Sequence, residues 1–115
     1  MNKEQQRIAI AEACGLGSRE QLAALLEDYE EAFALAYYND RAAPTTPIPD
    51  YLYDLNAMHE AEKELYARPN KSDGTVWAYV YESHLINITT TEIIATAAQR
   101  AEAFLKTIGK WEDGN

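Results

Sequence analysis

Apolar residues recur along most of this chain at intervals of three and four, the period of a helix packed on one side. Residues 2 to 14 carry Ile8, Ala11 and Cys14 as a modest stripe. Asn2 is placed to cap that helix, Glu4 lies in its first turn and Gly15 ends it. From Ser18 to about Asn39 the signal is stronger. Ser18 and Gln21 form a capping box; Leu22, Leu25, Leu26, Tyr29, Phe33, Ala36 and Tyr37 mark one face, and Glu20, Glu27, Asp28, Glu30 and Glu31 mark the other. Pro44, Pro47 and Pro49 forbid helix, so residues 42 to 49 are predicted as an extended connector. A third helix is predicted from about Asp50 to Tyr66, with Leu52, Leu55, Met58, Leu65 and Tyr66 inward. Arg68–Gly74 is a turn by composition.

The period then shortens to two. Thr75–Glu82 places Trp77, Tyr79 and Tyr81 on one face and Val76, Ala78 and Val80 on the other, which predicts a strand. Leu85–Thr90, with Ile86 and Ile88 opposed to Leu85, Asn87 and Thr89, predicts a second strand, joined to the first through Ser83-His84. A last helix is predicted over residues 94 to 111. Thr96 and Gln99 make its capping box; Ala97, Phe104, Leu105 and Ile108 share a face; Gly109 sits where a left-handed cap belongs. The expected fold class is α+β: a small antiparallel sheet packed between helices in the order α-α-α-β-β-α, within a single domain of residues 1–115. Two strands make a weak sheet. Either a third strand around Thr45–Ile48 or a second subunit would complete it, and an open aromatic edge aggregates, so a homodimer or higher homo-oligomer is expected.

Charge narrows the partners. Nineteen acidic side chains against ten basic ones give a net charge of −9. That balance disfavours binding to a nucleic-acid backbone or an anionic membrane and suits a basic partner. The one cysteine, Cys14, allows no intrachain disulfide. No apolar run approaches the ~20 residues of a membrane span, and the opening Met-Asn-Lys-Glu-Gln-Gln-Arg lacks a signal-peptide core. A cytoplasmic location is expected.

Reaction chemistry is not in view. His59, His84 and Cys14 do not have zinc-ligand spacing. His59 and Glu62, three apart, can share a ligand, but a di-metal site needs a second such pair. Ser83 and His84 are neighbours and on a strand would point apart; Cys14 reads as a small buried apolar group. Gly15-Leu16-Gly17-Ser18 leads into a helix but follows one as well, unlike a dinucleotide fingerprint, so a helix stop and an N-cap are the plainer reading. No enzyme, metal or cofactor is expected. Two features invite a binding reading. The aromatic residues Trp77, Tyr79 and Tyr81 are either core or a stacking platform for nucleobases, with Arg100 the best-placed phosphate ligand and Arg41, Arg7 and Lys71 weaker ones. The acidic face of Glu27, Asp28, Glu30 and Glu31 is either solvated or a mimic of a phosphate backbone.

Three stretches carry a resemblance: Asn2–Gly15; Pro49-Asp50-Tyr51-Leu52 with Asp54-Leu55-Asn56-Ala57-Met58-His59-Glu60-Ala61-Glu62-Lys63; and Ala95–Leu105. Over roughly half its length the chain resembles the phage alpha-beta-alpha sandwich domain family. The resemblance implies a phage or prophage accessory protein, in the cytoplasm of an infected bacterium, with a small sheet between helices. Residues 16 to 45 depart from the family, because a long amphipathic helix stands where such proteins tend to carry a shorter loop or strand. By analogy of architecture, phage anti-Thoeris sponges, which sequester cyclic ADP-ribose-type signals, suggest a function. The leading expectation is a non-enzymatic counter-defence protein that binds and sequesters a nucleotide immune signal at a subunit interface. Trp77 or Tyr79 would stack the base, Asn87 would hydrogen-bond it and Arg100 would contact phosphate. The alternatives are an acidic, protein-binding inhibitor of a host defence protein and a structural phage component.

Overall fold

The computed structural model describes residues 1–89 and 95–113, and these form five helices and no strand. They are α1 (Lys3–Ala13), α2 (Arg19–Tyr38), α3 (Leu55–Tyr66), α4 (Trp77–Thr89) and α5 (Ala97–Thr107). Short-range hydrogen bonds set most of the ends. Asn2 with Gln5, Ser18 with Gln21 and Thr96 with Gln99 each close a complete capping box on α1, α2 and α5. Gly15 and Gly109 take φ of +79° and +75° just past α1 and α5, and the next amides, of Leu16 and Lys110, reach back to the carbonyls of Ala11 and Leu105. Asp40 does the same after α2 at φ +53°, with Arg41 N–H on the Ala36 carbonyl.

The predicted α+β sandwich is not the architecture of this chain. Both strand assignments, Thr75–Glu82 and Leu85–Thr90, fall largely on α4; Thr90 and the predicted start of the last helix at Ile94 lie outside the described residues. The reason is visible in the burial. Trp77, Tyr81, Leu85 and Ile88 repeat at helical spacing and turn inward, with Tyr81 and Leu85 fully buried, while Tyr79 points to solvent. The alternation of β-branched and aromatic residues is a propensity signal, and packing of one helical seam against α5 overrides it. Ser83-His84 lies inside the helix and makes no turn. The third strand suggested at Thr45–Ile48 is likewise absent. Ile48 is a fully buried plug in a connector pinned by Arg7, whose guanidinium donates to the Ile48 carbonyl at 2.7 Å and to Thr46 Oγ1 at 3.3 Å. The start of α3 also moves, from about Asp50 to Leu55, because Asp54 caps it by accepting from the amides of Asn56 and Ala57.

α5 is the hub. It packs on α4, α1 and α3, and Ala101, Ala103, Phe104 and Leu105 are wholly buried in it. Small residues on that face let α4 approach closely, and the core continues through Ile10, Leu22, Met58, Leu65 and Tyr81. α2 is held chiefly by α1. Only its Leu22 and Leu26 are buried, 1% and 3% exposed. Beyond them the helix runs on to Tyr38 with Phe33, Leu35, Tyr37 and Tyr38 exposed, along a molecule 53 Å long and 29 by 28 Å across. No helix among the described residues is long and apolar enough to cross a membrane.

Candidate functional site

The four residues expected to hold a nucleotide do not converge. Trp77 and Tyr79 are two positions apart on a helix, so they leave α4 in directions roughly 160° apart. Tyr79 is 75% exposed. Trp77 is half-buried; its indole N–H donates to the Pro69 carbonyl at 2.9 Å, and Lys71 and Arg68 already lie over its ring at 4.7 and 5.3 Å. Asn87 is exposed about 15 Å further along the helix axis. Arg100 turns the other way, into the bundle. Its guanidinium donates to Glu62 Oε2 at 3.1 Å and to the Ala95 carbonyl at 3.4 Å.

What Arg100 builds is a buried polar node between α3, α4 and α5. Glu62, nearly buried on α3, accepts from Arg100 on one carboxylate oxygen and meets His59 Nδ1 at 2.7 Å on the other. His59 is the exposed end of this chain of contacts, and the i, i+3 spacing seen in the sequence brings it onto Glu62. Tyr81 lies beside them with its ring edge-on to Tyr66 at 6.0 Å. Its hydroxyl is buried near the Glu62 carboxylate and makes no hydrogen bond of normal geometry among the described residues. Burial, then the nearby Glu62 carboxylate, pushes the phenol well above its usual pKa. The node supplies a carboxylate satisfied from two sides, by Arg100 and by His59. Among the described residues no three His, Cys, Asp or Glu side chains gather as a metal would require.

Cys14 is not placed for nucleophilic chemistry. Burial first, and then Glu64, lifts its thiol to about 11, so it stays protonated at neutral pH. Its surroundings are of more interest. A half-open cavity of about 240 Å³ is lined by Cys14, Leu16, Tyr51, Ala57 and Ala61, with Glu60 and Glu64 among its lining. Leu16, half exposed, also lines the neighbouring groove along Gln21, Ala24, Leu25 and Asp28 of α2. The apolar lining therefore passes from α3 across Leu16 onto α2.

There it meets the apolar stripe of α2. Leu22, Leu26, Tyr29, Phe33, Ala36 and Tyr37 follow one face of α2. The bundle buries the first two and Tyr29 is half-buried; Phe33 is 45% and Tyr37 76% exposed, and the Tyr29 and Phe33 rings lie tilted at 6.0 Å between centroids. Asp28 and Glu30 flank this face, and Glu27 and Glu31 stand behind it. Sequence periodicity found the stripe; how far the bundle covers it is not contained in that spacing. No protein-family model, curated protein or solved structure matches this chain.

Proposed function

We propose that the chain is a non-enzymatic protein-binding module that works through the projecting half of α2. One observation carries this reading: an amphipathic helix whose aromatic stripe outruns the bundle that buries its beginning. An exposed apolar row flanked by charge is how a helix docks into a partner's groove. This is the acidic, protein-binding alternative of the sequence reading. Under the same proposal the target is a host defence protein in a bacterial cytosol, and the role is its inhibition.

The test is capture from bacterial lysate with the chain and with a Phe33→Ser/Tyr37→Ser variant, both shown to unfold at the same denaturant midpoint. A partner retained by the first and lost by the second supports the module. Equal capture by both rejects it. The nucleotide-holding reading is tested separately by calorimetric titration with cyclic nucleotides and cyclic ADP-ribose isomers. No heat is expected, because Lys71 and Arg68 occupy the Trp77 face and Arg100 is engaged by Glu62.

A further inference from the structure

The projecting helix and the cleft beside Leu16 form one surface, and its chemistry selects the occupant. Leu16 lines both hollows, the one over Cys14, Tyr51, Ala57 and Ala61 and the one along Ala24 and Leu25. From Leu25 the apolar positions climb α2 through half-buried Tyr29 and exposed Phe33 to exposed Tyr37, a rise of about 18 Å, the length of a helix of about 12 residues. At one end is a pocket deep enough for an anchoring side chain; along the rest is a shallow aromatic row. That is the form of a groove-and-anchor contact, in which a few buried apolar groups supply most of the affinity.

The rim is acidic. Asp28 and Glu30 flank the row, Glu27 and Glu31 lie behind it, and Glu64 stands with the cleft. Glu60, beside it, is neutralised by Lys63 at 2.8 Å; the other five carboxylates make no ion pair among the described residues. Within α2 the only cation is Arg19, against Glu20, Glu27, Asp28, Glu30 and Glu31. A second copy of this chain would therefore bring like charges against like along the whole row, and like-charge juxtaposition works against pairing. A cationic surface would be attracted at a distance and aligned at contact.

We infer that this surface takes a basic amphipathic helix from another protein, its apolar face on Tyr29, Phe33 and Tyr37, one large apolar side chain in the Leu16 cleft, and its lysines or arginines against Asp28, Glu30 and Glu64. The inference rests on the protein-binding reading above and narrows it to one class of partner.

The experiment uses the full chain and three fluorescent peptides: an 18-residue leucine–lysine amphipathic helix, the same helix with glutamate for lysine, and one with the leucines replaced by serine. Anisotropy is read at low and at physiological salt. The leucine–lysine peptide binds and the other two do not. Leu16→Ser and Phe33→Ser/Tyr37→Ser each weaken that binding about tenfold or more. Changing Glu27, Asp28, Glu30 and Glu31 to Lys abolishes it and transfers binding to the glutamate peptide. Circular dichroism and the unfolding midpoint show that each variant is folded. Three results would overturn the inference: no binding of the leucine–lysine peptide, binding that ignores Leu16 and Phe33 and so reflects charge alone, or a chain that sediments as a dimer dissociated by Phe33→Ser/Tyr37→Ser. If lysate capture still depends on Phe33 and Tyr37 while the four-lysine variant captures equally well, the module stands and the basic partner falls.

Discussion

Two substitutions on one stripe of one helix separate the part of α2 that holds the fold from the part that does not. Leu26→Ala removes a side chain 3% exposed. Such a truncation loses the transfer free energy of the missing carbons and leaves a cavity, together about 2–5 kcal/mol. Phe33→Ala removes a ring 45% exposed whose aromatic neighbour is Tyr29, one turn away on the same helix. An i, i+4 apolar pair contributes about 0.2–0.5 kcal/mol, and the better helix propensity of alanine returns an amount of the same order. The expected loss is about zero to 0.5 kcal/mol. Urea unfolding followed by circular dichroism reads both. With a slope of about 1–3 kcal/mol per molar, Leu26→Ala lowers the midpoint by about 1 M or more, and Phe33→Ala barely moves it at unchanged slope. A Phe33→Ala loss above about 1.5 kcal/mol would refute the reasoning. If that loss grew with protein concentration, a second copy would be what covers the ring.

The polar node gives a double-mutant cycle. Arg100→Met leaves the buried Glu62 carboxylate with His59 alone and costs about 3 kcal/mol, and adding Glu62→Met recovers much of it; additive losses in urea unfolding would show that the two side chains do not interact. Tyr81→Phe deletes a buried hydroxyl that makes no hydrogen bond of normal geometry among the described residues, so stability stays level or rises by about 1 kcal/mol; a loss of that size would mean the phenol donates to Glu62. Cys14 is expected to alkylate slowly at pH 8. Its folded thiol titrates near 11 and an ordinary one at 9.0, so between those values the unfolded chain releases the proton first and stability falls as pH rises. Melting temperatures across that window should fall less steeply for Cys14→Ala, and an unchanged slope would remove the thiol from the account.

Local hydrogen bonding was the most legible part of the sequence. The capping boxes at Ser18 and Thr96, the N-cap at Asn2, and the glycine stops at Gly15 and Gly109 are formed as their spacing requires, because a cap is decided within one turn of chain; that Gln5 completes a box with Asn2 is seen only in the structure. α4 was misread for the opposite reason. Trp77–Thr89 satisfies both a two-residue and a helical period, and its valine, isoleucines and tyrosines favour strand. What decides between them is the seam of Tyr81 and Leu85 against α5, a contact between segments that no local pattern contains. The candidate site shows the same division. The His59–Glu62 spacing was readable, but the partner that Arg100 finds, 38 positions away, was not.

A stripe of leucine and tyrosine on α2 says that a face requires cover; it does not say which molecule supplies it. Here the chain supplies cover for Leu22 and Leu26 and stops. An isolated helix of about ten residues is marginal in water, yet this one continues to Tyr38 because its first turns are packed and its end is closed. The Asn39 side-chain amide donates to the Leu35 carbonyl at 2.7 Å, and Asp40 turns the chain out of the helix. The exposed aromatic row is therefore presented on a backbone already ordered before any partner arrives, which removes part of the entropy cost of docking. A segment that had to fold on the partner would bear that cost at binding. Loosening the projecting turns with Ala32→Gly/Ala34→Gly, both exposed positions of α2, should therefore weaken capture while leaving the unfolding midpoint in place. Unchanged capture by that variant would mean that the row binds without being held in advance.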